Sequence, residues 1–435
     1  MLIWLFGCFV ASYFLNNREL LAPSVIFSGS LLLGCICAFL YRNKWALDLH
    51  LNTFLVISLG TLLFVVVSSV VHQYYSYNLD MNLTENVVDP KTISNFKILP
   101  IIFVEVVTVL FTIYEIQRIT PSNGLSNSIA LYRALSISPT NTVDLSLPRI
   151  LNLMRLFTGA VGYFVGFLFM KDIVYRKKIN YLYLVVILLS VVSDLMLGSR
   201  GGTMTILIGL FVFLYALYKK KKSWKSENNI KLIFGIVGIA AAVILVFQGF
   251  ANLLGRNTSE YSFTYYLAIY LGAEIKNLDI FLQTVFPIQN GFFGEQTFMY
   301  IWKTISPYIG IDSSILQFDL PFLSVNGYSL GNVYTVFYSY LYDFGYIGVP
   351  ILVSLMAFIS QVFFEKFKRF RLNQGVPISV LVYARIFSAL AFSFFSNKFY
   401  ENMFNFSFFE IIVIWILLNW FLCGKSLIKI SWYKD

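Results

Sequence analysis

Long runs of apolar residues broken by short polar stretches dominate the chain from its first residue. A membrane-spanning helix needs about 20 mostly apolar residues. The pattern predicts such helices near 1–15, 20–41, 51–71, 98–117, 151–170, 181–198, 203–218, 232–250, 344–364, 377–396 and 403–423. Pro23, Pro100 and Pro350 fall inside these runs. In lipid, neighbouring segments satisfy the backbone groups that a proline frees, so none of the three excludes a helix. The expected fold is all-α: a polytopic transmembrane bundle of about 11–12 spans with one large loop. Three blocks follow along the chain: an N-terminal bundle over 1–250, a large loop with short interfacial helices over 251–343, and C-terminal spans with a tail over 344–435.

Polar positions set the orientation. Cytoplasmic loops of membrane proteins carry an excess of lysine and arginine. Three basic segments therefore read as cytoplasmic: Lys219–Lys222 with Lys225 and Lys231; Lys366, Lys368, Arg369 and Arg371; and Lys425, Lys429 and Lys434. They fall on one side only if 251–343 lies on the other. In that loop Glu260, Glu274, Asp279, Glu295, Asp312 and Asp319 outnumber Arg256, Lys276 and Lys303. Lys171, Arg176, Lys177 and Lys178 join the cytoplasmic side, and the turn at 199–202 faces away from it. Arg42 and Lys44 break the scheme, because alternating crossings put them outside. A twelfth crossing or a re-entrant piece between 118 and 170 would restore the parity.

Composition sharpens the picture. A chain of 435 residues that is 58% hydrophobic and 12% charged cannot hide that apolar surface in one soluble core. The net charge of +10 would suggest nucleic acid in a soluble domain, but here the basic residues sit in short loops beside spans, and no nucleic-acid partner is expected. Cys8, Cys35, Cys37 and Cys423 lie in apolar runs without a disulfide or metal framework. Met1–Leu15 lacks a basic start and a small-residue cleavage site, which predicts a retained span rather than a removable signal peptide. No internal repeat is evident, which disfavours transporters built from two related halves.

Ionisable groups at membrane depth are costly and mark function by default. Arg200, within the sequence LGSRGG at 197–202, could grip a phosphate that the flanking glycines let approach, or could snorkel from a tight turn. Arg385 lies deep in the span 377–396, where a charge needs a partner or a wet cavity. Arg155 reads as an interfacial anchor, and Glu105 and Glu115 as structural pairs. Within the loop, Arg256, Glu260, Glu274, Lys276 and Asp279 surround a helix-like stretch at 261–286. Any of its three carboxylates could act as general base for a hydroxyl, and a solvated face would carry the same charges.

The segment 328–346, YSLGNVYTVFYSYLYDFGY, sets Tyr334 and Tyr338 among other aromatic rings around Asn332 and Asp343. Such rings form an interfacial belt or offer flat faces to sugars. Its Asp-Phe-Gly has no kinase context. His50 and His72 are the chain's two histidines, too few for a zinc or haem cluster. No nucleotide fingerprint appears, and Asn-Thr-Ser at 257–259 matches a glycosylation pattern by chance as readily as by design.

In layout the chain resembles the oligosaccharide repeat unit polymerases, the O-antigen polymerase (Wzy) family. The residues that carry the likeness are Ser199-Arg200-Gly201 opening a span, FFGEQTFMYIWKTISPYIG at 292–310, and GNVYTVFYSYLYDFGYIG at 331–348. The resemblance implies a GT-C-like glycosyltransferase of the bacterial inner membrane. Such an enzyme passes a growing glycan from undecaprenyl diphosphate to the non-reducing end of a new lipid-linked repeat unit at the periplasmic face. Its partners would be those lipid-linked oligosaccharides, membrane lipids, a chain-length regulator and a flippase, and no metal or nucleotide cofactor is required. On that reading Arg200, Arg256 and Arg385 hold the diphosphate, Glu274 or Asp279 takes the acceptor proton, and Tyr334, Tyr338 and Asp343 meet the glycan. Two alternatives stand beside it. One is a lipid-linked oligosaccharide flippase or other transporter, which rarely needs so long a loop. The other is the O-antigen ligase, which shares the loop but delivers to a lipid A core.

Overall fold

The computed structural model describes residues 1–78, 93–136, 143–198, 200–222, 224, 262–283, 293–310, 320–372 and 375–424. Among these, seven helices are long and apolar enough to cross a membrane. They are α2 (Pro23–Leu40), α3 (Leu51–Asn78), α4 (Leu99–Ile119), α6 (Arg149–Lys171), α8 (Gly201–Lys221), α12 (Phe337–Lys368) and α15 (Phe406–Cys423). The apolar helices α1 (Leu2–Leu15), α7 (Tyr181–Leu195) and α13 (Ile378–Ala391) are shorter, and α11 (Met299–Ile305) and α14 (Lys398–Met403) are shorter still. Ten of the eleven sequence-predicted spans thus coincide with helices, and 232–250 lies outside the described residues. The protein is a helical, multi-pass membrane protein. Outward rings and branched chains such as Phe103, Leu110, Val70 and Leu188 are exposed, as lipid-facing positions must be.

Local chemistry explains the boundaries. Pro23 occupies the first turn of α2, where its missing N–H costs nothing. The Asn180 side chain accepts from Leu182 N at 3.1 Å and caps α7. Some hydroxyls inside spans bond back to the preceding turn, as Thr61 does to Ile57 O at 2.6 Å and Ser69 to Val65 O at 2.8 Å. Within α12 the chain breaks at Gly345 (φ 60°, ψ −155°), a conformation only glycine adopts without strain. The apolar run expected from 344 therefore begins at a kink, behind an extra helical piece over 337–344.

The chain divides into two compact units that cut across the three sequence blocks, because helices pack by surface fit rather than by chain order. The first comprises Met1–Asp80, Thr258–Lys366 and Arg385–Phe408; the second comprises Met81–Asn257, Phe367–Ala384 and Phe409–Asp435. In the first unit, α1, α2 and α3 pack together, with Phe27 stacked on Phe64 at 4.2 Å. Against α2 lie two short helices, α9 (Phe263–Leu271) and α10 (Ala273–Phe281), and the hairpin β1 (Leu323–Val325)–β2 (Tyr328–Gly331) covers them. Gly272 makes this docking possible: a side chain there would come within 2.6 Å of Ala38 N.

The turn at 41–50 folds onto the same end of this unit. Lys44 Nζ sits 5.4, 5.5 and 5.8 Å from the ring centres of Tyr41, Tyr265 and Tyr328, and Arg42 lies over Phe39 at 4.7 Å. These two cations thus share the end that carries the 262–331 segment, held by aromatic faces. Between α4 and α6 the described residues hold no further helix long enough to cross a membrane. That interval contains α5 (Leu125–Ser136), twelve residues long and amphipathic.

In the second unit, α6 packs against α4, α7 and α8. Gly162 faces Ser190, Gly166 faces Leu210, and Gly209 on α8 faces Tyr163; such small residues let helix backbones approach in lipid. Glu105, fully buried, pairs with Ser190 Oγ at 2.9 Å, and Glu115 pairs with Arg118 at 2.7 Å. Arg155 Nη1 donates to Ser193 O at 2.8 Å. It therefore ties α6 to α7 rather than serving only as an interfacial anchor. Lys221 Nζ donates to Val174 O at 2.7 Å, which places the 171–178 and 219–222 basic clusters at one end of the unit, opposite Arg155.

Candidate functional site

The richest polar assembly lies where the 41–50 turn, α10 and the hairpin meet in the first unit. Eight of the nine residues of α10 are buried, including Glu274, Lys276, Asn277 and Asp279. A helix buried on every face and carrying three ionisable groups must satisfy or neutralise each of them. Lys276 Nζ donates to Ala46 O at 2.9 Å and lies 3.8 Å from Asp279. Asn277 Nδ2 donates to Leu330 O at 3.1 Å and Val333 O at 2.8 Å, fixing the hairpin. Trp45 Nε1 donates to Tyr265 Oη at 3.1 Å, fixing the turn to α9.

Asp279 is held from three directions. Its Oδ1 accepts from His50 N at 3.0 Å and from Thr53 Oγ1 at 2.7 Å, and its Oδ2 lies 3.0 Å from His50 Nδ1. The carboxylate therefore also caps α3, where unpaired N–H groups favour a negative charge. Glu274 is the opposite case. It is 1% exposed, and among the described residues neither carboxyl oxygen has a hydrogen-bond partner on another residue. Burial pushes its pKa well above the ordinary carboxylate range. Of the two carboxylates expected to act as base, one is thus favoured in its protonated form and the other has its lone pairs engaged.

A second buried group lies beside the first piece of α12. Asp343 accepts from Gln296 N at 3.0 Å and Thr297 N at 2.6 Å, so its carboxylate pins the 293–297 turn. Glu295, in that turn, is 2% exposed with no partner for either oxygen among the described residues. Burial first, and the Asp343 charge second, raise its pKa. The ring centres of Tyr334 and Tyr338 lie 4.6 Å apart and those of Tyr338 and Phe281 4.5 Å apart, each pair tilted, and Tyr334 Oη donates to Pro321 O at 3.1 Å. Burial pushes the Tyr334 phenol up to about 12. These rings are engaged with one another and are 4% and 6% exposed; they do not form the open sugar platform that their sequence pattern allows.

The remaining expected residues are distributed elsewhere. Arg385 lies half-buried on α13 and belongs to the first unit. Arg200, buried, occupies the N-cap position of α8 in the second unit. Beside it the Gly198 backbone (φ 67°) lies against the Arg133 side chain, and Gly202 lies against the Asp194 carboxylate. The expected tight turn between two spans is therefore present. Arg256 and Glu260 lie outside the described residues. Sequence reasoning missed His50, Lys44 and Glu295 as members of a site. Glu295 was legible only as a loop charge, and nothing local to His50 announces a partner 229 positions away. Compared with known proteins, the chain matches no family model, no curated protein and no solved structure.

Proposed function

We propose that this protein is a membrane glycosyltransferase of the repeat-unit polymerase type, with its site at the end of the first unit that carries α10 and the hairpin. One observation carries the reading: α10 buries two carboxyls, an ammonium and an amide within six consecutive residues of a helix lodged against membrane spans. Burial on that scale is expensive, and it concentrates at places where protons or charge are handled. In this reading that end faces the periplasm from a bacterial inner membrane, in a GT-C-like arrangement.

The chemistry asks little of a cofactor. A glycan on undecaprenyl diphosphate carries its own leaving group, so the enzyme must stabilise developing negative charge, take a proton from the acceptor hydroxyl and position both sugars. Arg385, the arginine of the first unit among those expected to hold the diphosphate, is assigned to it, since a guanidinium matches phosphate geometry in two places at once. Asp343 and the tyrosines of α12 shape the wall beside which the glycan passes. Deleting the gene and resolving surface polysaccharide on gels tests the proposal. Loss of the long ladder with one-repeat product retained supports a polymerase; loss of every repeat selects the flippase or ligase readings, and an unchanged ladder refutes all three.

A further inference from the structure

The geometry around Asp279 points to a proton acceptor that neither carboxylate supplies: we infer that His50 takes the proton of the acceptor hydroxyl, with Asp279 as its positioning residue. This inference rests on the transferase reading above. His50 N and Thr53 Oγ1 donate to Oδ1 of Asp279, and Oδ2 lies 3.0 Å from His50 Nδ1, where an ionised carboxylate can only accept. The neutral imidazole that faces it must therefore place its hydrogen on Nδ1, leaving the lone pair of Nε2 directed away from the carboxylate. A base whose tautomer is set by a third group is the recurring arrangement for taking a proton from a hydroxyl.

Exposure separates the roles. The His50 side chain is 52% exposed while that of Asp279 is 1% exposed, so the ring, and not the carboxylate, meets whatever arrives from outside. Capping alone does not account for the ring, because Thr53 Oγ1 and His50 N already fill the cap. The turn is also held in place with effort: Ala46 adopts φ 45°, uncommon for a residue with a Cβ, while its carbonyl accepts from Lys276. Trp45, fully buried, bonds to Tyr265 on the other side of that residue. The histidine at its end is thereby aimed.

The step balances. The acceptor O–H proton passes to His50 Nε2 as its oxygen forms a bond to the anomeric carbon of the donor glycan. The bond from that carbon to the diphosphate oxygen breaks, and the lipid diphosphate leaves with the electron pair. The imidazolium then returns its proton to water.

The test is complementation of a deletion strain with full-length variants, read as glycan longer than one repeat at equal chain abundance in the membrane. His50→Ala and His50→Gln should each lower long polymer about 100-fold or more, the size of a lost general base. Imidazole added to membrane vesicles holding the accumulated one-repeat lipid should restore polymer to His50→Ala, which leaves room for it, and not to His50→Gln. Asp279→Asn should lose less and gain nothing from imidazole. The double variant should be no worse than His50→Ala, since the two act as one unit. A normal ladder from His50→Ala, or a loss that imidazole leaves untouched, overturns the assignment while the transferase reading stands. A ladder that survives deletion of the whole chain removes both.

Discussion

Exchanging Glu274 for Gln preserves volume and removes a group whose burial leaves a signature in the pH dependence of stability. In an unfolded chain a glutamate titrates near about 4.3; in the folded protein burial raises that value well above the usual range. Between the two values the folded state binds more protons than the unfolded state, so stability must fall as pH rises through that window. While the folded group keeps its proton, each pH unit above the unfolded value costs about 1.4 kcal/mol. With an unfolding entropy of about 2.1 cal/mol/K per residue, a 435-residue chain converts this to about 1.5 °C per pH unit. Glu295, raised in the same sense, remains in both proteins, so the difference isolates position 274. Melting curves of the full chain in detergent, followed by tryptophan fluorescence, should show Glu274→Gln gaining about 1.5 °C on the wild type with each pH unit above pH 5 until the folded carboxyl ionises. A constant offset between the two would mean that the carboxyl is hydrated or paired, and the reasoning would fail.

Further outcomes follow from other contacts. Gly272→Val drives a side chain into the backbone of α2 at Ala38 and should cost about 1–3 kcal/mol, seen as a lower melting temperature; an unchanged one would show that α10 docks loosely. Asp343→Ala strands the N–H groups of Gln296 and Thr297. At about 1–3 kcal/mol each, this should open the 293–298 turn to limited proteolysis, and equal protection would refute the anchoring role. Arg200→Ala should insert normally yet yield surface glycan of one repeat; long chains at the usual modal length would remove Arg200 from the mechanism. Single cysteines at Lys44 and Tyr77, in a background without native cysteines, should label from opposite faces of the membrane, and labelling from one face would overturn the direction of α3.

Helix existence was legible because a 20-residue apolar run in a membrane protein has few alternatives. Boundaries were less so. The break inside α12 depends on Gly345 taking a positive φ, which a hydropathy pattern does not encode. Charge counting scores a cation by its sign alone and could not show that Lys44 sits among the rings of Tyr41, Tyr265 and Tyr328. Within the site, burial of Glu274 and Asp279 could not be read from a stretch that looks like a solvated loop face. The partners of Asp279 lie more than 200 residues earlier, at His50 and at Thr53 in the first turn of α3. Long-range pairing of that kind leaves no local trace in one sequence.

The bond between His50 and Asp279 joins positions separated by 229 residues, and this has a consequence for biogenesis. Ribosomes add about 5–20 residues per second, so α1, α2 and α3 are made roughly 10–45 s before the segment that completes their outer end is translated. Throughout that interval Lys44 stands without the rings of Tyr265 and Tyr328, and His50 without the carboxylate of Asp279. The nascent hairpin of α2 and α3 is therefore a natural client for an insertase or holding factor, and pausing translation between residues 80 and 258 should prolong that association.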